Sequence, residues 1–273
     1  MNPRNKGHDE REVLRDGELT VLGRIRSASN ATFLCESTLG EHSVHCVYKP
    51  IAGEAPLWDF PDGTLAGREL GAYLVSAQLG WNIVPYTVIR DGPAGPGMLQ
   101  LWVREPGDAT VHRRAGPELV DVFPANKKRS GYLPVLRAQD YSGGEFVLMH
   151  ADDLRLRRMA VFDVLINNAD RKGGHILFGL DGQVYGVDHG LCLHVENKLR
   201  TVLWGWAGKP VDGETLEKIA GLGDALKGEL GEALAPQITR AEIAALRRRA
   251  RALLDHPVMP GPNRHRPIPW PAF

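Results

Sequence analysis

From Leu19 onward, apolar and polar positions alternate in three short runs: LTVLGRIRSA (19–28), ATFLCEST (31–38) and HSVHCVYKP (42–50). A period of two between small polar residues predicts half-buried strands joined by tight turns, here at 27–30 and 39–41. The preceding 18 residues are polar and charged, with room for a short helix over 11–16. Residues 51–63 are rich in Pro and Gly and predict a loop. The period then changes. Within 64–79 the apolar residues Ala66, Leu70, Tyr73, Leu74 and Ala77 form a helical stripe, with Thr64 as N-cap and Gly80 as the residue beyond the end. Two more strands are expected at 82–89 and 98–103, around a Pro/Gly turn at 91–97. Arg104-Glu105-Pro106-Gly107 has the composition of a linker and marks the expected boundary between residues 1–103 and 104–273.

Beyond the linker, 107–150 shows no clear period, and its basic clusters, Arg113-Arg114 and Lys127-Lys128-Arg129, suit solvated loops. A helix over 154–168, capped by Asp152 or Asp153, runs into Asn167-Asn168-Ala169-Asp170. Strands at 176–180 and 183–187 flank Asp181-Gly182, a two-residue hairpin turn. One acid, Asp170, precedes this hairpin and another, Asp188, follows it, so the two can face each other across a small site. Residues 191–211 form a long loop with Lys198, Arg200, Trp204 and Trp206. Helices follow over 214–233 and 240–254, the second opened by a Thr239/Glu242 capping box. Arg247–Arg249 with Arg251 suits a solvated helix face, and the Pro-rich tail from Pro257 an extended or unstructured segment.

Composition narrows the function classes. With 33 Lys+Arg against 33 Asp+Glu, no overall field draws the chain to nucleic acid or to a membrane surface. The N-terminus has no apolar signal core and no run approaches 18 apolar residues, so no transmembrane segment is expected. Three cysteines without metal-ligand spacing fit a reducing, cytoplasmic setting. Oligomeric state is not legible.

Three features carry candidate chemistry. Lys49 ends an otherwise apolar strand, where an ammonium is costly to bury without a partner. An outward-facing edge-strand Lys is the bland alternative. Glu69 lies beside the helical stripe, within reach of a buried Lys, and a Lys–Glu pair with two acids is the outfit of phosphoryl transfer. The small residues Ser27, Ala28, Ser29 and Asn30 suit a turn whose amides point at phosphate, although such turns are common.

Several stretches, in order, resemble the phosphatidylinositol 3/4-kinase superfamily, most closely its type II phosphatidylinositol 4-kinases: VYKP, ELGAYLVSAQLGWNIVP (69–85), LQLWV (99–103), INNADRKGGHILF with YGVDHGLCL, and WGWAGKPV. The matches span roughly 19–211. The resemblance implies an α+β, two-lobed protein-kinase-like fold, with a β-rich N-lobe, a mainly helical C-lobe and ATP between them. It implies that Lys49 binds the α/β-phosphates and pairs with Glu69, that Ser27, Ala28, Ser29 and Asn30 cover the phosphates, and that Leu101, Trp102 and Val103 face adenine. Asp170 would orient the acceptor hydroxyl and Asp188 would bind Mg²⁺ or Mn²⁺.

Two departures qualify what the family implies. Where it usually places a metal-binding Asn, this chain has His175, whose nitrogen suits Mn²⁺ better than Mg²⁺; Asn168 is the next candidate ligand. The cysteine-rich palmitoylation motif is missing. The expected activity is ATP-dependent phosphotransfer to an inositol lipid or a protein Ser/Thr hydroxyl. The alternatives are a nucleotide-binding pseudokinase acting as scaffold or sensor, and AMP transfer on the same scaffold.

Overall fold

The computed structural model describes residues 8–25, 30–106, 118–127, 129–139, 141–263 and 265–273. Its N-terminal region is an antiparallel sheet of β1 (Glu18–Arg24), β2 (Phe33–Leu39), β3 (His42–Pro50), β4 (Thr87–Gly92) and β5 (Gly95–Leu101), in the order β1-β2-β3-β5-β4. Helix α1 (Glu10–Asp16) lays Leu14 into a small core with Cys35, Cys46, Tyr48 and Leu99. Gly97 is required here, because a Cβ would stand 2.5 Å from the Tyr48 ring.

The strand expected over 82–89 begins only at Thr87. Asn82 takes a left-handed turn (φ 51°), and the buried Ile83 and Val84 donate their amides to the Ser76 hydroxyl at 2.9 and 3.1 Å rather than to a ladder. Their apolar side chains reflect burial of a connector. The 91–97 turn also tightens, since β4 and β5 pair from Gly92 to Gly95.

Residues 118–151, unread in the sequence, form a second antiparallel sheet: β6 (Val120–Pro124), β7 (Tyr132–Gln139) and β8 (Glu145–Ala151), in the order β6-β8-β7. A bulge between Pro134 and Leu136 and mostly exposed positions along β7 erase the alternation that would have announced it. Of the basic clusters, Arg113, Arg114 and Lys128 lie outside the described residues. Arg129 pairs with Glu118 at 3.0 Å over the Phe123 ring.

The remainder is mainly helical: α3 (Leu154–Ile166), the hairpin β9 (Ile176–Phe178) and β10 (Val184–Gly186), α4 (Gly213–Ala225), α5 (Glu229–Leu234) and α6 (Arg240–Asp255). Asp153 caps α3, while Asp152 accepts from the Trp206 indole at 3.0 Å. The helix expected over 214–233 is interrupted at Gly228, whose φ −130°, ψ −127° lies outside the helical basin. Arg249 is not part of a solvated face. It donates to the carbonyls of Leu165 and His194, tying α6 to the end of α3.

The architecture is therefore α+β, with an antiparallel N-terminal region and a helical C-terminal part. Helix α2 (Leu65–Leu79) joins them: its Ala72, Val75 and Leu79 enter the same core as Leu156, Phe162 and Leu165 of α3 and Leu246 of α6. Among the described residues, no helix is long and apolar enough to cross a membrane.

His150 on β8 joins that core to the loop before α4. Its Nε2 accepts from the Gly205 amide at 3.0 Å, while Nδ1 faces the Ala151 carbonyl at 2.9 Å and so carries the proton. Burial lowers its pKa below the ordinary imidazole value. The unfolded chain then binds a proton that the folded chain refuses, so this contribution to stability is present above about pH 6.5 and is lost as pH falls below it. Denaturant midpoints should drop between pH 7.5 and pH 5.5, and His150→Gln should flatten the profile. An unaltered profile in the variant would show that His150 is not responsible.

Candidate active site

Helix α3 stops because Asn167 takes the left-handed conformation (φ 54°, ψ 50°), which Asn tolerates better than most residues. Its side-chain amide then donates to the carbonyls of His194 (3.0 Å) and Glu196 (2.6 Å) and accepts from the Lys198 amide (2.8 Å), securing the long loop after the hairpin. Asn168 donates to Asp163 at 3.0 Å and accepts from the Asp170 amide at 3.0 Å. That bond sets the backbone of the acid at the loop's tip.

Asp163 and Arg171 are both wholly buried. The guanidinium Nε bonds both carboxylate oxygens at 3.1 Å and Nη2 bonds Oδ1 at 2.9 Å; Thr201 donates its hydroxyl to Oδ2 at 3.1 Å. On its far side Arg171 donates Nη2 to Nε2 of His189 at 2.7 Å and Nη1 to the carbonyls of His175 and Val187 at 3.4 Å. One cation thus fixes α3, the loop carrying Asp170, and the segment carrying Asp188. Gly186 leaves it room, since a Cβ there would stand 2.9 Å from Nη1.

Across the cleft, Lys49 Nζ lies 2.7 Å from Glu69 Oε1 and 2.8 Å from Asp188 Oδ1. The other Glu69 oxygen accepts from the His189 amide at 2.8 Å. Burial opposes the ammonium, but the two carboxylates outweigh it and raise the Lys49 pKa. Lys49 in turn holds the Asp188 carboxyl well below the usual carboxylate range. Asp170 is pushed up by burial, against the pull of Lys172 at 3.1 Å. Asn30 and Ala31 sit on the rim, where Asn30 Oδ1 accepts from the Ala55 amide at 2.9 Å.

Burial lowers the His175 pKa, against the pull of Asp188. His175 Nδ1 faces the Asp170 carbonyl at 2.9 Å, a bond that requires the proton there. In the neutral ring Nε2 then presents a lone pair toward Asp188 Oδ2, 3.4 Å away. Two electron-pair donors converging without a proton between them suit a shared cation, and a ring N–H fixed on a backbone carbonyl is how metal-binding imidazoles are oriented. Among the described residues no group of three or more His, Cys, Asp or Glu side chains is placed to hold a metal alone. One or two carboxylates completed by phosphate and water is the ordinary arrangement for Mg²⁺, and an imidazole beside Asp188 departs from it toward Mn²⁺.

The structure thus gathers Lys49, Glu69, Asp170, Asp188 and His175 around one cleft, with Asn30 at its edge. Ser27, Ala28 and Ser29 lie outside the described residues. Leu101, Trp102 and Val103 are not among the residues lining the pocket around Lys49; Leu101 stands in register with Cys46 on the neighbouring strand, and the Leu101 and Trp102 amides bond Tyr86 and His45 carbonyls at 3.0 Å. Asp181-Gly182 is not a two-residue turn but part of a five-residue connection, 179–183, closed by Gly179 N–H to Gln183 C=O at 2.9 Å. Asp163, Arg171 and His189 were missed as site residues. Asp163 left a signal, a lone charge inside the apolar run VFDVLI.

Breaking a buried pair strands the partner's charge, which costs about 3–5 kcal/mol. Asp163→Asn and Arg171→Met should each lower the unfolding free energy by about that much, read from urea denaturation. A loss near that of an exposed pair, below about 1 kcal/mol, would remove Arg171 as the organiser of the site.

No family model matches the chain. The crystal structure of the Helicobacter pylori proinflammatory kinase CtkA aligns over 89% of this chain and 93% of that one, at a TM-score of 0.44 and 10% identity, a likeness too distant to bear on the site. Protein Rv2133c of Mycobacterium tuberculosis is 79% identical over 266 residues, covering 97% of this chain and 96% of that protein. At that identity and coverage, the chain belongs to the family of Rv2133c.

Proposed function

We propose that the cleft binds ATP with a divalent metal and transfers its γ-phosphoryl group to a hydroxyl. The observation that carries this reading is Lys49, held at 2.7 Å by the buried Glu69 and at 2.8 Å by Asp188. A fixed ammonium beside a carboxylate of lowered pKa is a receptor for phosphate oxygens and their metal. Asp188 and His175 would hold the metal, which when bound would supply positive charge beside the phosphate oxygens. His175 biases the choice toward Mn²⁺.

Asp170 orients the acceptor hydroxyl and takes its proton as the oxygen attacks the γ-phosphorus. The bond from that phosphorus to the bridging oxygen breaks, and ADP leaves. Lys172, 3.1 Å from Asp170, offsets part of the rise that burial imposes on that carboxylate's pKa. The acceptor is an inositol lipid or a protein Ser/Thr hydroxyl. The cleft as lined fits the phosphate end of the nucleotide.

A ligand that binds only the folded chain stabilises it by about 2.7 kcal/mol at a hundredfold excess over Kd. ATP with Mn²⁺ should therefore raise the Tm by several degrees, and Lys49→Met or Asp188→Asn should remove most of the rise. The same shift in both variants would place the nucleotide elsewhere.

Incubation with ATP labelled separately at the α- and γ-positions, with mixed lipid and protein acceptors, tests the reaction. Only the γ-label should transfer, and Asp170→Asn should lower the rate by about a hundredfold or more while leaving ATP affinity unchanged. Transfer of the α-label would make the chain an AMP transferase. Binding without any transfer would make it a nucleotide-binding pseudokinase.

A further inference from the structure

In the chain, the residue before Glu69 is Arg68, and it points the opposite way. Its side chain is 1% exposed and forms a buried ion pair with Glu242 of α6, Nη2 to Oε1 at 2.7 Å. Nη1 donates to the Cys192 carbonyl and Nη2 to the Asp62 carbonyl, each at 2.8 Å. Cys192 lies just after His189-Gly190, and its thiol reaches back to the Arg68 carbonyl at 3.5 Å. One end of α2 is thus bonded to the C-terminal part by side chain and backbone together.

The neighbouring contacts repeat that attachment. A Cβ on Gly67 would stand 2.7 Å from the Gln237 carbonyl and one on Gly71 would stand 2.8 Å from Leu193 Cδ1, so both glycines permit close approach of α2 to the helical part. In the loop before α2, the Phe60 ring lies under the Arg68 guanidinium (5.0 Å) and the Lys198 ammonium (5.2 Å) and meets the His194 ring edge-on (5.2 Å). Lys198 also pairs with Asp59 at 3.3 Å. Every one of these partners lies in the C-terminal part or in the loop itself.

We propose that Arg68 is a positioning residue which, through Glu242 and the Cys192 carbonyl, locks α2 to the C-terminal part so that Glu69 stays seated between Lys49 and the His189 amide without an activating event. Removing an Arg from a buried pair leaves an uncompensated Glu242 and frees the first turns of α2. Glu69 then drifts from the His189 amide. The lock deepens the proposed phosphotransfer site and rests on that reading for its consequence, although the seating of Glu69 is measurable without nucleotide.

The experiment follows amide exchange by NMR in the full chain, in wild type, Arg68→Met, Arg68→Lys and Glu242→Gln, alongside ATP–Mn²⁺ affinity in these and in Lys49→Met. The His189 amide and the first turns of α2 should exchange at least about tenfold faster in Arg68→Met and Glu242→Gln, with β2 and β8 amides unchanged. Arg68→Lys, which keeps the charge but not the fork, should fall between. ATP should bind Arg68→Met at least about tenfold more weakly. Unchanged His189 exchange, or acceleration spread equally over β2 and β8, would overturn the lock. So would full ATP affinity in Arg68→Met where Lys49→Met has lost it. If Arg68→Met does not fold, Glu242→Gln and Arg68→Lys decide by the same amides. Wild-type affinity in Lys49→Met would end the nucleotide reading alone, leaving exchange at His189 to decide the lock.

Discussion

Taking a carboxylate and a guanidinium wholly out of water costs several kcal/mol per ion, and the pair recovers this only where geometry and further hydrogen bonds are complete. Asp163 and Arg171 meet that condition. Asn168 and Thr201 satisfy the remaining capacity of the carboxylate, and every nitrogen of the guanidinium has an acceptor. A pair of apolar side chains would fill the same space at no greater cost in stability. It would not direct the loop bearing Asp170 and the segment bearing Asp188 to one cation, and the cleft depends on that convergence.

Two attachments therefore build the site from opposite sides. Arg171 holds the C-terminal acids, while α2, fastened at Arg68, holds Glu69 and through it Lys49. The ion pair from Lys49 to Asp188 closes the gap between them. In the proposed reaction it is also the contact that would yield as phosphate oxygens engage Lys49 and a metal engages Asp188. His175, with Nδ1 on the Asp170 carbonyl and Nε2 facing Asp188, has the orientation that exchange would need.

Much of this was legible where the chemistry breaks a local pattern. A Lys at the end of an apolar strand, a Glu beside a helical stripe and two acids flanking a hairpin each stand out against their surroundings, and the fold brings them together. Arg68 did not stand out, and Glu242 was legible only as the capping-box partner of Thr239. In amphipathic helices such charges read as solvated, and only the close approach allowed by Gly67 and Gly71 buries them. Arg249 misled for the same reason. The second sheet was invisible because its exposed, bulged β7 lacks a period, and 82–85 passed for a strand because Ser76 satisfies amides that a ladder would otherwise claim.

The most direct test of the central claim is anomalous diffraction from crystals grown with Mn²⁺ and a non-hydrolysable ATP analogue. The account predicts a manganese peak about 2.2 Å from an Asp188 oxygen, with His175 Nε2 as a neighbouring ligand. Phosphate oxygens should have replaced Asp188 as the second partner of Lys49, while Glu69 keeps its place. Nucleotide bound elsewhere on the molecule, with the Lys49–Asp188 pair intact and no metal at Asp188, would contradict it.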